Sequence, residues 1–273
     1  MVPTRERSPY VPLQPHEIVR DVLDAANIGI TMVHLHAYET DGRPTYKKEF
    51  YARIIAGIRE HRQDLIICVS CSGRYFREFD QRADVLSLSG DLRPDMASLT
   101  LSSLNFSRQV SINEPQIIQC LAKRMLESGI IPEFEIFDLG MANYAKYLIE
   151  KLNLHPPHYA NIILGNVATA QADLLSIAAL SNALPFGTIW GLGGVGNAQI
   201  PVTALAATIA PAVRVGLEDN LWLDKNRTRP VSNCTMVERI HHLAMLTDRT
   251  VMPSEELRAL LRLNCTHGNS LAA

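Results

Sequence analysis

The hydrophobic pattern switches between two periods along almost the whole chain. Residues 30–36 form an apolar, β-branched run that ends on His34-Leu35-His36, and such a run predicts a buried strand. Residues 47–62 then carry Phe50, Ile54, Ile55 and Ile58 at helical spacing. The same exchange repeats, with predicted strands at 65–70, 96–101, 132–138, 160–164, 185–192 and 212–217. Predicted helices cover 15–26, 115–127, 141–152, 168–180, 200–209, 234–247 and 254–263. Asn113 and Pro115 read as the cap and first turn of the helix at 115. Ser254 reads as the N-cap of the last helix. No repeat or linker interrupts the series, so a single domain over 1–273 is expected.

Strands alternating with helices imply a mostly parallel sheet, and 273 residues suit one (β/α)8 barrel. The pattern supplies seven strands, and residues 1–29 hold a helix with no strand before it. The expected fold is therefore an α/β TIM barrel lacking its first strand, N-terminally short, through fragmentation or a start placed too late.

Composition removes several function classes. Net charge is −2 with no Lys/Arg-rich run, which argues against nucleic-acid binding. No apolar stretch reaches membrane-span length, and no apolar signal core follows Met1. Five scattered cysteines, an odd number, fit a reducing cytoplasm better than a disulfide scaffold. Cys68-Val69-Ser70-Cys71 is formally a CxxC, but it ends a strand and has no second copy.

In a barrel the C-terminal strand ends build the active site, and this chain gathers polar residues there. His34 and His36 share one face of a strand, so their imidazoles can converge on a metal ion. An HxH pair alone is more often structural than metal-binding. The late strand, however, ends in Glu218-Asp219-Asn220, and two histidines plus one of those acids leave an open position on a catalytic metal. Ser70, Ser98, Thr100, Glu133 and Glu135 end other strands. Each serine also has a bland reading as a satisfied buried hydroxyl, and at least one of the glutamates could face outward. Arg214 lies in an apolar strand and needs an anionic partner. His241-His242, on an amphipathic helix, read as surface or packing residues. Gly191-x-Gly193-x-x-Gly196 matches a dinucleotide fingerprint, though late in the chain. It supports either an NAD-type oxidoreductase or, preferably, a phosphate or acyl-carrier contact through Gly193 at the barrel mouth.

Six segments together resemble the β-keto acid cleavage enzyme family. They are Val33-His34-Leu35-His36, Asp41-Gly42-Arg43-Pro44, Pro94-Asp95-Met96-Ala97-Ser98-Leu99, Leu104-Asn105-Phe106, Pro132-Glu133-Phe134-Glu135 and Arg214-Val215-Gly216-Leu217-Glu218-Asp219-Asn220. The resemblance implies a homotetrameric (β/α)8 barrel with zinc on His34, His36 and Glu218. It implies a reaction of a β-keto acid with acetyl-CoA, giving acetoacetate and a new acyl-CoA. Arg214 and Asp219 would act together in proton abstraction, Ser70 would donate to an oxyanion, and Ser98, Thr100 and Glu135 would meet substrate. Where the family often has Ser-Thr-Gly-Gly, this chain has Ser70-Cys71-Ser72-Gly73. A family residue supplied by the first barrel strand has no counterpart, which keeps a non-catalytic, zinc-binding barrel remnant as a rival reading.

Overall fold

The computed structural model describes residues 4–263. Its seven-stranded parallel sheet follows chain order: β1 (Met32–Leu35), β2 (Ile66–Val69), β3 (Met96–Thr100), β4 (Ile131–Ile136), β5 (His158–Leu164), β6 (Thr188–Gly194) and β7 (Ala212–Val213). The helices are α1 (Pro15–Ile28), α2 (Lys48–Arg59), α3 (Phe79–Ala83), α4 (Pro115–Glu127), α5 (Leu139–Leu152), α6 (Leu174–Ala183), α7 (Gln199–Ile209), α8 (Asn233–Met245) and α9 (Ser254–Leu260). Two short antiparallel ribbons cover the strand ends, one pairing Ala37–Tyr38 with Pro44–Thr45 and one pairing Leu104–Asn105 with Val110–Ser111.

Strand alternation sorts the inner face into layers. Met32, Ile66, Met96, Ile131, Tyr159 and Ile189 form an apolar bottom layer with Leu257 and Leu261, the α9 region closing that end. Two residues on come His34, Cys68, Ser98, Glu133, Asn161 and Gly191, and two further His36, Ser70, Thr100, Glu135, Ile163 and Gly193. Outward residues such as Ile67, Leu99, Phe134 and Ile162 join the helices in one large core with Ile54, Ile58, Leu121 and Met141. The sheet curls as a barrel does: His36 Nε2 beyond β1 lies 3.1 Å from Glu218 Oε1 beyond β7. Among the described residues no backbone pairing joins β1 to β7.

Several local expectations are corrected. The helix expected at 168–180 starts at Leu174, because Ala170 N–H donates to Phe137 O and Asp173 caps Ser176 N–H. Ser254 is the first helical residue and not the cap, its hydroxyl donating to Thr31 O at 2.9 Å. Glu114, not Asn113, precedes α4 as the N-cap. Asn113 instead holds Ser102 O and accepts from Arg82 Nη2. The last strand stops at Val213, since the following chain turns so that Leu217 N–H reaches Asn233 Oδ1 at the start of α8. The strand expected at 185–192 is shifted to Thr188–Gly194, after a turn at Gly187 with φ of 74°.

That shift decides the glycine motif. Gly191 and Gly193 are strand residues paired to Asn161 and Ile163, and not members of a phosphate loop. Side chains there would collide: a Cβ on Gly191 would lie 2.6 Å from Asn161 Oδ1, and one on Gly194 would lie 2.7 Å from Ala198 O. The N–H groups of Val195 and Gly196 donate to Leu164 O and Asp219 O. These two donors are spent inside the fold.

Candidate active site

Two side-chain constellations meet at the C-terminal rim of the sheet. The first starts from β1, whose alternation brings both imidazoles inward, with ring centroids 5.2 Å apart. Ligand atoms of His34, His36 and Glu218 all lie within 4.8 Å of one another. His36 Nε2 is buried with no hydrogen-bond partner among the described residues, although Glu218 Oε1 stands 3.1 Å away. Ligand atoms about 2.0–2.1 Å from a tetrahedral zinc would lie roughly 3.3 Å from each other. The orphaned nitrogen, the spacing and the two-imidazole, one-carboxylate donor set all fit zinc.

Beneath them Glu133 is buried and takes three donors. His34 Nδ1 lies 2.7 Å from Oε2, Cys68 Sγ donates to Oε2 at 3.2 Å and Asn161 Nδ2 to Oε1 at 2.6 Å. Burial disfavours the charged forms of both partners, but their mutual attraction wins, so the pKa of His34 is raised and that of Glu133 lowered. With Nδ1 committed to Glu133, His34 is left with Nε2 for a metal, the second-sphere arrangement usual for ligating histidines.

The second constellation is built on Arg214. Its Nε donates to Asp219 Oδ2 at 3.1 Å, Nη2 donates to Glu218 Oε2 at 2.7 Å, and Nη1 faces Glu135 Oε1 at 3.6 Å. Burial alone would lower the arginine pKa, but Asp219, Glu218 and the nearby glutamates hold it well above its usual range. Burial likewise opposes ionisation of Glu218, and His36 and Arg214 override it, so its pKa falls well below the carboxylate norm. Thr100 Oγ1 donates to Glu135 Oε2 at 2.5 Å. One guanidinium thus ties the zinc-ligand candidate Glu218 to Asp219.

Two clefts open here, and Ser70, Ser72, Arg74 and Glu218 line both. The cleft of about 440 Å³ holds Thr100, Glu135, Arg214 and Asp219. The other, about 600 Å³, runs past His36 along Tyr38, Tyr46, Tyr75 and Phe76. Three expected site residues line neither cleft: His34, which turns Nδ1 to Glu133, Ser98 and Gly193. Ser98 is buried with its hydroxyl accepting from Cys71 N–H at 3.1 Å, which steadies the Ser70 loop. Gly193 lies against Arg214, where a Cβ would approach the arginine Cβ to 3.2 Å. Sequence reasoning gave no role to Asn161 or Arg74. Arg74 stacks on Phe106 at 4.2 Å and reaches within 3.9 Å of Glu218. Its position depends on Gly73, where a Cβ would sit 2.1 Å from Ile112 O. His241 packs as expected, with Nε2 2.7 Å from Gly29 O.

The sequence profile of the β-keto acid cleavage enzymes matches residues 1–263. The chain belongs to that family. It is 34% identical over 261 residues to the 3-keto-5-aminohexanoate cleavage enzyme of Fusobacterium nucleatum, covering 95% of this chain and 93% of that protein. It is 32% identical over 266 residues to the 3-oxoadipate:acetyl-CoA acetyltransferase of Cupriavidus necator, covering 96% and 91%. The fold is similar to that of ObcA. A ternary complex of ObcA with a C4-CoA adduct and oxalate aligns with a TM-score of 0.82 at 18% identity, over 94% of this chain and 68% of that chain. The apo structure of ObcA aligns with a TM-score of 0.80 at 18% identity, over 94% and 66%. In this β-keto acid cleavage enzyme the seven-stranded sheet curls around the rim that carries His34, His36, Arg214, Glu218 and Asp219. No described helix is long and apolar enough to cross a membrane.

Proposed function

We propose that the protein takes a β-keto acid and acetyl-CoA and gives acetoacetate and a new acyl-CoA by a retro-Claisen route, with His34, His36 and Glu218 holding a zinc ion. The observation that carries this reading is the shared guanidinium of Arg214, which couples Glu218 at 2.7 Å to Asp219 at 3.1 Å. Zinc, when bound, supplies Lewis-acid polarisation of the keto oxygen.

The chain's own residues account for the proton and charge movements. Arg214 Nε holds Asp219 by Oδ2, leaving the other oxygen to take a proton from the methylene carbon between the keto and carboxylate groups. That carbon bonds to the acetyl carbonyl carbon, and the acetyl bond to the CoA sulfur breaks to release the thiolate. The thiolate adds to the original keto carbon, the bond between that carbon and the methylene carbon breaks, the acyl group stays on sulfur, and the proton returns from Asp219 to the methylene carbon to give acetoacetate. The hydroxyl of Ser70, which lines both clefts, donates to the oxygen that gains charge. Thr100 holds Glu135, which in turn faces Arg214. The soluble assembly would be a homotetramer, a point for light scattering.

The deciding assay combines the purified protein, a β-keto acid panel and acetyl-CoA, with and without a zinc chelator, and follows acetoacetate and acyl-CoA by mass. Chelator-sensitive formation of both products is expected. A folded, zinc-loaded sample without turnover would favour a non-catalytic barrel, and chelator-insensitive turnover would remove zinc from the reading.

A further inference from the structure

The cleft that holds Asp219 has two chemically distinct sides. Its polar groups converge on Arg214: Thr100, Glu135, Glu218 and Asp219. Ser70, Ser72, Ser111 and Arg74 also line the cleft, and the remaining five lining residues are apolar. Leu104, Phe137 and Ile163 belong to the buried core, and Phe106 and Val195 pack against it. Phe106 and Phe137 meet edge to face at 6.1 Å.

The charges on the polar side are already matched to one another. Glu135 accepts from Thr100 and faces Arg214 Nη1, Asp219 accepts from Arg214 Nε, and Glu218 accepts from Arg214 Nη2. The second cation of the cleft, Arg74, leans on Phe106 with Nη1 3.9 Å from Glu218. A substrate ammonium would find only carboxylates engaged with Arg214. A tail carboxylate laid on Phe137, Ile163 and Val195 would meet no cation among those residues, the lining cations Arg214 and Arg74 both standing against Glu218. A charge buried without a matched partner is strongly disfavoured, whereas an apolar wall gains from each methylene laid on it.

Resting on the function proposed above, we infer that this enzyme selects a β-keto acid whose tail is uncharged and apolar. The only substrate charge is then its own carboxylate, at the reacting end. This differs from the amino-bearing and dicarboxylic keto acids in the names of the two relatives above. Val195 and Phe137 are the specificity residues in this reading, and Glu135 is an Arg214 partner and not an ammonium receptor.

The test is an internal competition. Equal concentrations of 3-oxohexanoate, its 5-amino derivative and 3-oxoadipate are mixed with acetyl-CoA and the zinc-loaded protein, and the three acyl-CoA products are counted by mass. The product ratios report kcat/KM directly. The alkyl product is expected to exceed each charged one by at least roughly tenfold, and a smaller ratio or a preference for a charged tail overturns the inference while leaving the proposed reaction standing. Absence of all three products removes both. A second arm uses Val195→Lys, checked for folding by circular dichroism, which is expected to move the ratio towards 3-oxoadipate by about tenfold. An unchanged ratio in the folded variant means that Val195 does not face the tail, and that also overturns the assignment.

Discussion

Glu133 receives the Nδ1 hydrogen of His34 at 2.7 Å, across 99 residues of sequence. The contact lies within the middle layer of the barrel interior and fixes which imidazole nitrogen is left for a metal. Glu133→Gln keeps the shape but removes the charge. Zinc affinity is expected to fall by about 10- to 100-fold, the usual cost of losing a partner that orients a ligating histidine. Competition against a fluorescent zinc chelator reads this directly. Equal affinity in the variant would mean that the charge of Glu133 adds nothing to the hold on the His34 ring.

The opposite end of the sheet predicts a stability effect. Asp95 is buried and accepts from Arg258 Nη1 at 2.9 Å and Nη2 at 2.8 Å, and from Ile67 N–H at 2.9 Å. Arg258 also donates to Asp64 O and Leu65 O, which ties α9 to the strand starts. Arg258→Met leaves a buried carboxylate with the Ile67 N–H and the longer 3.4 Å contact from Arg59. The expected cost is about 3–5 kcal/mol in urea unfolding, with little change in substrate KM because the pair lies far from the rim. A cost under about 1 kcal/mol would show that Asp95 recovers solvent or another partner.

A pH-dependent contribution sits at the start of α1. Glu17 closes the capping box with Gln14 and also accepts from Leu13 N–H and Arg5. The Gln14 N–H, foremost, with Arg5 and Leu13, pulls its pKa from the usual 4.5 down to about 2. A depressed acid stabilises the fold above its unfolded pKa, and the contribution is lost as pH falls through the folded value. Glu17→Gln is therefore expected to cost about 1 kcal/mol at neutral pH, allowing for its partial exposure. The gap between variant and parent should shrink as pH drops from 4.5 towards 2. Urea midpoints at a series of pH values check the sign. A gap that widens on acidification would contradict it.

The paired imidazoles and the Arg214, Glu218, Asp219 cluster were legible because they lie at ends of apolar runs, where strand alternation alone sets the face. Glu133 was visible but not its direction, since alternation says that Glu133 and Glu135 share a face and not which face is inside. Only the register of β4 against β5, which sets Glu133 beside Tyr159, and the curl that brings β1 across the interior fix that answer. Asn161 and Arg74 carry no motif, and their roles depend on contacts with residues distant in sequence. The glycines misled for a related reason. Glycine spacing alone cannot distinguish a loop that must bend from a strand whose neighbours leave no room for a Cβ.

Gly193 makes that distinction testable. A methyl group there would lie 3.2 Å from Arg214 Cβ and 3.4 Å from its Cγ, so Gly193→Ala must push the arginine stem while leaving the strand pairing of Gly193 with Ile163 intact. The ladder does not require glycine, so the stability loss should stay near 1 kcal/mol. The guanidinium, however, sets both Glu218 and Asp219, and small errors in positioning a reacting group cost far more than their energy in packing. The variant is expected to lose about 10- to 100-fold in kcat with KM nearly unchanged. A rise in KM with kcat unchanged would move Gly193 from positioning Arg214 to contacting substrate. Full activity would mean that Arg214 tolerates the displacement and that its tie to Asp219 is not what drives proton abstraction.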